Sequence, residues 1–350
     1  MVIFSLFFLF SFFVPNMKSG KVSIFSKWAP KVTFFVMVSL FLIMGLRSLN
    51  VMGDTVTYVS DFINYDLERT NVQTIFLTSN EPLFALFTYV TRLMTDNYVV
   101  YLTLSSLPLM FGLCLILKES SDDSFLSIII FCAIGTFTFC MAGLRQSMAI
   151  GFCLIAYYFA ERKKILPYFL FVFIAFLFHN SSIVFVIVYL LKKIKVTYFQ
   201  WLLVLFGLFV GITKWGGIAA FIGLFGSRFA SYMLNNSSLN LTMFVVMFML
   251  FIVCWIFRKK YLKDNENGNM LFNMAFLAIT FQAMTPVVGE FFRISMYFSF
   301  SLCLLVPGVL KRIENDDYRY LLYWGISICA IFFFFVSQNF MSYYQFFWEV

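Results

Sequence analysis

Histidine occurs once in these 350 residues, at His179, and charged residues make up only 12% of the chain. The seven cysteines (Cys114, Cys132, Cys140, Cys153, Cys254, Cys303, Cys329) all fall in apolar runs, and no Cys-x-x-Cys pair occurs. A soft-metal site therefore has no ligand set to draw on, and helix filler is the expected role of these thiols. There is no Asp-x-Asp and no nucleotide phosphate loop. No metal and no cofactor is expected. So little charge, set against 62% hydrophobic residues and a mean hydropathy of +0.89, excludes a soluble fold, which could not hide that much apolar surface. Polar-apolar alternation is also missing, and that excludes an outer-membrane barrel.

Long apolar runs rich in phenylalanine, 51 in all, indicate an all-α polytopic membrane protein forming one integral membrane domain over 1–350. About twelve transmembrane helices are predicted: 2–15, 32–46, 98–117, 125–143, 146–160, 165–178, 181–191, 198–213, 239–257, 270–288, 294–310 and 320–336. The shortest, 181–191, must extend into flanking polar residues or be partly re-entrant. The first run lacks a basic leader and a small-residue cleavage site, and reads as an anchor.

Loop charges then divide. One side collects Lys18 to Lys31, Lys118, Arg162 to Lys164, Lys192 to Lys195, Arg258 to Lys263 and Lys311 to Arg319. The other receives Arg47, Arg69, Arg92, Arg145, Lys214, Arg228 and Arg293. The positive-inside rule makes the first side cytoplasmic and puts both termini outside. The net charge of +8 thus follows topology, and no nucleic-acid partner is expected. A spanning Glu81–Met94 would break this pattern. That segment is predicted as an amphipathic or re-entrant helix on the outer surface, with Pro82 near its start. External loops then cover about 47–97 and 214–238.

The cytoplasmic cations are mostly lysine, whereas every external one but Lys214 is arginine. Orientation does not require that. Arginine's planar fork suits phosphate and pyrophosphate oxygens. For Arg69 and Arg92 a local carboxylate or a lipid headgroup is explanation enough. Arg145, in Ala142-Gly143-Leu144-Arg145-Gln146, has few polar neighbours and needs a partner from elsewhere. Arg228 with Tyr232, and Arg293 with Tyr297, stand four apart, so each helical pair would offer a guanidinium with a phenol beside it. Glu290, three before Arg293, competes as a simple ion-pair partner. Asp54 fits a Gly53-Asp54 turn, Glu81 an acidic helix start, and Arg47 a snorkelling boundary residue. A lone histidine at a helix end, as in Phe178-His179-Asn180-Ser181-Ser182, is most often an interfacial polar residue.

In combination these stretches form a pattern. Arg47-x(5)-Gly53-Asp54-x(3)-Tyr58, then Glu81-Pro82-Leu83-Phe84, Arg145-Gln146-x-x-Ala149, His179-x-Ser181 and two Arg-x-x-x-Tyr units resemble, in order, the EpsG-like branch of the Wzy polysaccharide polymerases. The resemblance runs from about Gly45 to Tyr297. It implies a GT-C-like fold in the bacterial inner membrane and a metal-independent glycosyltransferase of O-antigen, lipopolysaccharide or exopolysaccharide assembly. Its substrate would be undecaprenyl-pyrophosphate-linked oligosaccharide, joined at the periplasmic face, with membrane lipid, a flippase and a chain-length regulator as partners.

On that resemblance Arg145, Arg228 and Arg293 would stabilise the leaving pyrophosphate, with Arg47 behind them. His179 would be the base, imidazole titrating near neutral pH, and Asp54 and Glu81 are alternative bases or orienting groups. Tyr58, Tyr232, Tyr297 and Tyr343 would stack on sugars or bond phosphates, and Gln146, Ser181 and Glu290 would complete the binding set. Two other functions stay open at this point, an O-antigen ligase and a transporter or flippase of lipid-linked glycans. No internal repeat supports the latter.

Overall fold

A guanidinium at one end of a helix and an imidazole at the far end of the next can meet only if the two helices run antiparallel. That is how the centre of the chain is built. The computed structural model describes residues 25–213, 241–337 and 344–349. In chain order its α-helices are α1 (Phe25–Gly45), α2 (Gly53–Ile63), α3 (Val72–Thr78), α4 (Pro82–Met94), α5 (Tyr98–Glu119), α6 (Ser124–Ala133), α7 (Thr136–Ala142), α8 (Leu144–Glu161) and α9 (Ile165–Phe178). They continue as α10 (Val188–Leu191), α11 (Trp201–Thr213), α12 (Thr242–Ile256), α13 (Arg258–Asp264), α14 (Gly268–Met284), α15 (Glu290–Leu310) and α16 (Asp316–Ser337). Between the described residues the single β feature is an antiparallel bridge of Arg47 with Phe346.

Among the described residues three helices, α5, α15 and α16, are long and apolar enough to cross a bilayer, and counting each of two bent pairs as one span brings the number to five. The chain is an all-α membrane protein. The remaining predicted crossings within the described residues are shorter, broken or, as in α8, less apolar, whereas 2–15 lies outside those residues. The run 125–143 is two helices bent by 60°. Gly135 sits at the bend with φ +76, a conformation that costs a side-chain-bearing residue steric strain. The run 239–257 ends in a second bend, of 72°, into α13. The short run 181–191 is a 3-10 helix over Asn180–Ile187 followed by the single turn α10. A 3-10 helix rises about 2.0 Å per residue against about 1.5 Å in an α-helix, so this winding reaches further across the membrane per residue.

Helix α8 begins beside Arg145 and ends at Glu161, and α9 returns antiparallel against it to stop at His179. Eighteen residues at about 1.5 Å each separate the two ends of α8 by about 27 Å. Helix α5 crosses α8 at close range. A Cβ built on Gly151 would lie 2.3 Å from the Pro108 carbonyl carbon, so only glycine lets the backbones touch there.

The segment 47–97 is a folded cap carrying α2, α3 and α4. Its own small core (Val59, Phe62, Tyr101, Leu102, Leu144) sits on the ends of α5 and α8. Phe62 stacks on Tyr101 at 4.3 Å, and Thr88 Oγ1 lies 3.3 Å from the Tyr101 hydroxyl. The helix predicted for 81–94 is α4, with Pro82 in its first turn, where a missing N–H costs nothing. It packs on α9, with Pro82, Thr88 and Thr91 buried and Val90, Leu93 and Met94 outward.

The far end of the bundle carries the lysine-rich turns. Asp122 holds Lys311 and Arg312, each at 2.7 Å. Arg162 pairs with Glu119 at 3.1 Å, Lys163 with Glu266 at 2.9 Å, and Lys260 with Glu314 at 2.8 Å. Burial pulls the Asp122 carboxyl up, but its two cations outweigh this and hold it below the usual carboxylate value. Among the described residues the cations at the opposite end are arginines, Arg47, Arg69, Arg92, Arg145 and Arg293.

Candidate functional site

Four segments from distant parts of the chain converge at that arginine end. Arg145 stands in the first turn of α8, which starts afresh after a corner at Gly143 (φ −93, ψ 76). His179 caps the C-terminus of α9 with an extended backbone (φ −158), which swings its ring off the helix. Glu81 is the residue before α4, and Tyr58 lies on α2. A free N-cap side chain ordinarily turns back onto its own helix. Glu81 makes no such bond. Its carboxylate is directed across the site instead.

That carboxylate is shared. Oε2 accepts from Arg145 Nη1 at 2.9 Å, Oε1 meets His179 Nδ1 at 2.5 Å, and the Asn180 backbone N–H donates to Oε1 at 3.4 Å. Burial pushes the Glu81 carboxyl up, yet the hydrogen bond and charge of His179, followed by Arg145, more than offset it and hold the group below its ordinary 4.5. Because an ionised carboxylate only accepts, the proton of a neutral imidazole belongs on Nδ1, and the Nε2 lone pair is left for another partner.

Arg145 is held on two further sides. Its Nε donates to the Tyr58 hydroxyl at 3.3 Å, and its guanidinium carbon lies 5.3 Å from the Tyr58 ring and 5.8 Å from that of Phe84. The two rings meet edge to face at 5.9 Å, making an aromatic cradle. The Arg145 side chain nevertheless stays 45% exposed, so the cation is fixed in place and still open to an anion. Phe84 had no assigned role in the sequence. Its signal was spacing: three residues after Glu81 on a helix, it shares that residue's face.

A second group of contacts ties α15 to this centre. Gln146 Nε2 donates to the Arg293 backbone carbonyl at 2.6 Å, and the Ser181 and Tyr297 hydroxyls are 3.0 Å apart. Arg293 itself is 43% exposed and pairs with Glu290 at 3.1 Å, the competitor its spacing had indicated. Tyr297, one turn further along α15, is closed to a ligand. It is fully buried and holds Ser181, and it presents no face to a sugar. Asp54 is exposed on α2, one turn before Tyr58. Arg228, Tyr232 and Tyr343 lie outside the described residues. Arg69 and Arg92 pair locally, with Asp66 and Asp96, as their simpler explanation required.

Arg47 departs most from expectation. It neither snorkels nor faces an open site, being 1% exposed. Nη1 donates to the Met44 carbonyl and Nη2 to the Met141 carbonyl at 2.8 Å. Both acceptors belong to the last turns of helices, α1 and α7, where orphan carbonyls and the negative dipole end favour a cation. Burial lowers the guanidinium to about 10, which leaves it charged at neutral pH. Residues 344–349 cover it. Ser48 N–H donates to the Gln345 carbonyl at 2.8 Å, Phe347 N–H to Leu46 at 3.0 Å, and the Tyr344 hydroxyl to Ile43 at 2.8 Å.

Among the described residues no group of three or more His, Cys, Asp or Glu side chains gathers as a metal site. What the centre offers is one imidazole oriented by a carboxylate, one cradled guanidinium and a second arginine nearby across Gln146. Comparison with curated proteins and with solved structures returns no match for the chain. Comparison with family models does: residues 31–349 match the EpsG family, so that nearly the whole chain belongs to this Wzy-like polymerase family.

Proposed function

We propose that the protein is a polysaccharide polymerase of the bacterial inner membrane, joining undecaprenyl-pyrophosphate-linked oligosaccharide repeat units at the periplasmic face. Membership of the EpsG family supports the polymerase class and a lipid-linked saccharide substrate. The observation that carries the mechanism is the Glu81 carboxylate shared between Arg145 and His179. On this reading the chain crosses the membrane twelve times in a GT-C-like bundle, with both termini and the cap 47–97 periplasmic. The lysine-rich turns at the opposite end support that orientation.

The reaction moves a growing glycan from its lipid carrier to a hydroxyl of an incoming unit. Glu81 accepts from Nδ1 of His179, so Nε2 takes the proton of the acceptor hydroxyl as its oxygen bonds to the anomeric carbon. The bond from that carbon to the phosphate oxygen breaks, and its electron pair stays on the pyrophosphate. Arg145, fixed by Tyr58, Phe84 and Glu81 yet half exposed, meets the charge developing there, and Arg293 adds to it. A guanidinium pair supplies to the leaving group the stabilisation that many nucleotide-sugar enzymes take from a metal. On this reading Asp54, exposed on α2 one turn before Tyr58, binds sugar hydroxyls.

Purified protein supplied with its lipid-linked repeat units, without nucleotide, should form polymer ladders. Arg145→Ala and His179→Ala should abolish them. Ladders that persist in both variants would overturn the site, and glycan appearing only on a lipid acceptor other than the repeat unit would indicate a ligase.

A further inference from the structure

In an unbroken helix the Met141 carbonyl would accept the backbone N–H of Arg145, four residues on. The corner at Gly143 turns the chain away, and Arg47 Nη2 takes that carbonyl at 2.8 Å. The same guanidinium reaches the Met44 carbonyl at the end of α1. Three segments distant in sequence therefore meet on one buried cation: the end of α1, the α7–α8 corner, and residues 344–349, which bridge Arg47 through Phe346 and close over it.

We infer that Arg47 is a positioning residue. Clasped by residues 344–349, it replaces the broken hydrogen bond at the α7–α8 corner and thereby sets where Arg145 presents its guanidinium. The inference rests on the proposed role of Arg145. It assigns no substrate contact to Arg47, whose side chain has no access to the site. A fork is needed because two carbonyls on separate helices must be held at once. Lysine would keep the charge at the two helix ends and lose the second bond. Among the described residues the Nε of Arg47 has no hydrogen-bond partner, and the hold runs through the two terminal nitrogens.

Two measurements on the full-length protein in lipid nanodiscs decide it. The first is hydrogen exchange in wild type, Arg47→Met and Arg47→Lys. Both variants should exchange faster at 345–348 and at 141–147, by about tenfold or more for Arg47→Met, because one anchor serves both. Faster exchange confined to 345–348, or no change, would overturn the inference. The second measurement is kinetic. Arg47→Lys should lower kcat on the order of a hundredfold at unchanged KM for the lipid-linked donor, and should add little in an Arg145→Ala background. A raised KM with kcat held would instead make Arg47 a phosphate ligand. If Arg47→Met does not accumulate in the membrane, Arg47→Lys carries both measurements. The exchange result needs no turnover, so it stands or falls separately from the polymerase reading.

Discussion

At the scale of single residues the centre depends on geometry more than on net charge, and Arg145→Lys separates the two. Lysine keeps the cation but loses the bond from Nε to Tyr58 and the planar stacking over Tyr58 and Phe84. Its polymerisation rate should fall on the order of a hundredfold, read as the initial rate of ladder formation. Wild-type rates in that variant would mean that long-range charge is enough. Glu81 gives a second test, through pH. Its folded value lies below 4.5, so its pairing stabilises the protein fully above that pH and is lost as pH falls through the depressed folded value. The melting difference between wild type and Glu81→Gln should therefore hold between pH 7 and 5 and shrink below about 4.5. A difference that widens in acid would contradict the pairing. Arg145 and His179 stood out as candidates because each is an ionisable group between apolar runs, and Glu81 as an acidic residue at a helix start. Their mutual contact was not legible, since nothing in the sequence says that Glu81 turns from its own helix to theirs. Arg47 was misread as a boundary cation for a comparable reason: the residues that bury it lie at the other end of the chain.

Among the elements, apolar length predicted where helices occur and said little of where they break. The run 125–143 has the composition of one span, but Gly135 divides it into α6 and α7, and Gly143 breaks it from α8 and creates the corner under Arg145. Glycine at those positions was visible, but their backbone angles depend on what packs around them. The amphipathic helix after Pro82 was foreseen as a surface element. Its role in delivering Glu81 to α8 and α9 comes from tertiary packing. The close crossing of α5 and α8 can be tested directly. Gly151→Val puts methyl groups into the Pro108 carbonyl and should cost about 1–3 kcal/mol, seen as a lower melting temperature in detergent. Gly53→Ala, with open space around its Cβ position, is the control and should melt as wild type. Equal melting of the two variants would contradict the close crossing.

For the molecule as a whole, lysines at one end and arginines at the other give a prediction about sidedness. A cysteine introduced as Glu68→Cys in the cap should react with an impermeant maleimide added outside intact cells, and Lys260→Cys only after lysis. The reverse pattern would place the Glu81–Arg145–His179 centre on the cytoplasmic side and remove the polymerase orientation. The clasp of residues 344–349 carries a consequence in time as well as in space. Tyr344 bonds a carbonyl 301 residues earlier, so during synthesis the end of α1 waits in the membrane for most of the chain to be made. Its buried cation must be shielded by water or lipid headgroups until then. The corner that aims Arg145 is thus finished only once residues 344–349 have been made, and a nascent chain that has inserted α1 to α15 still lacks a working centre.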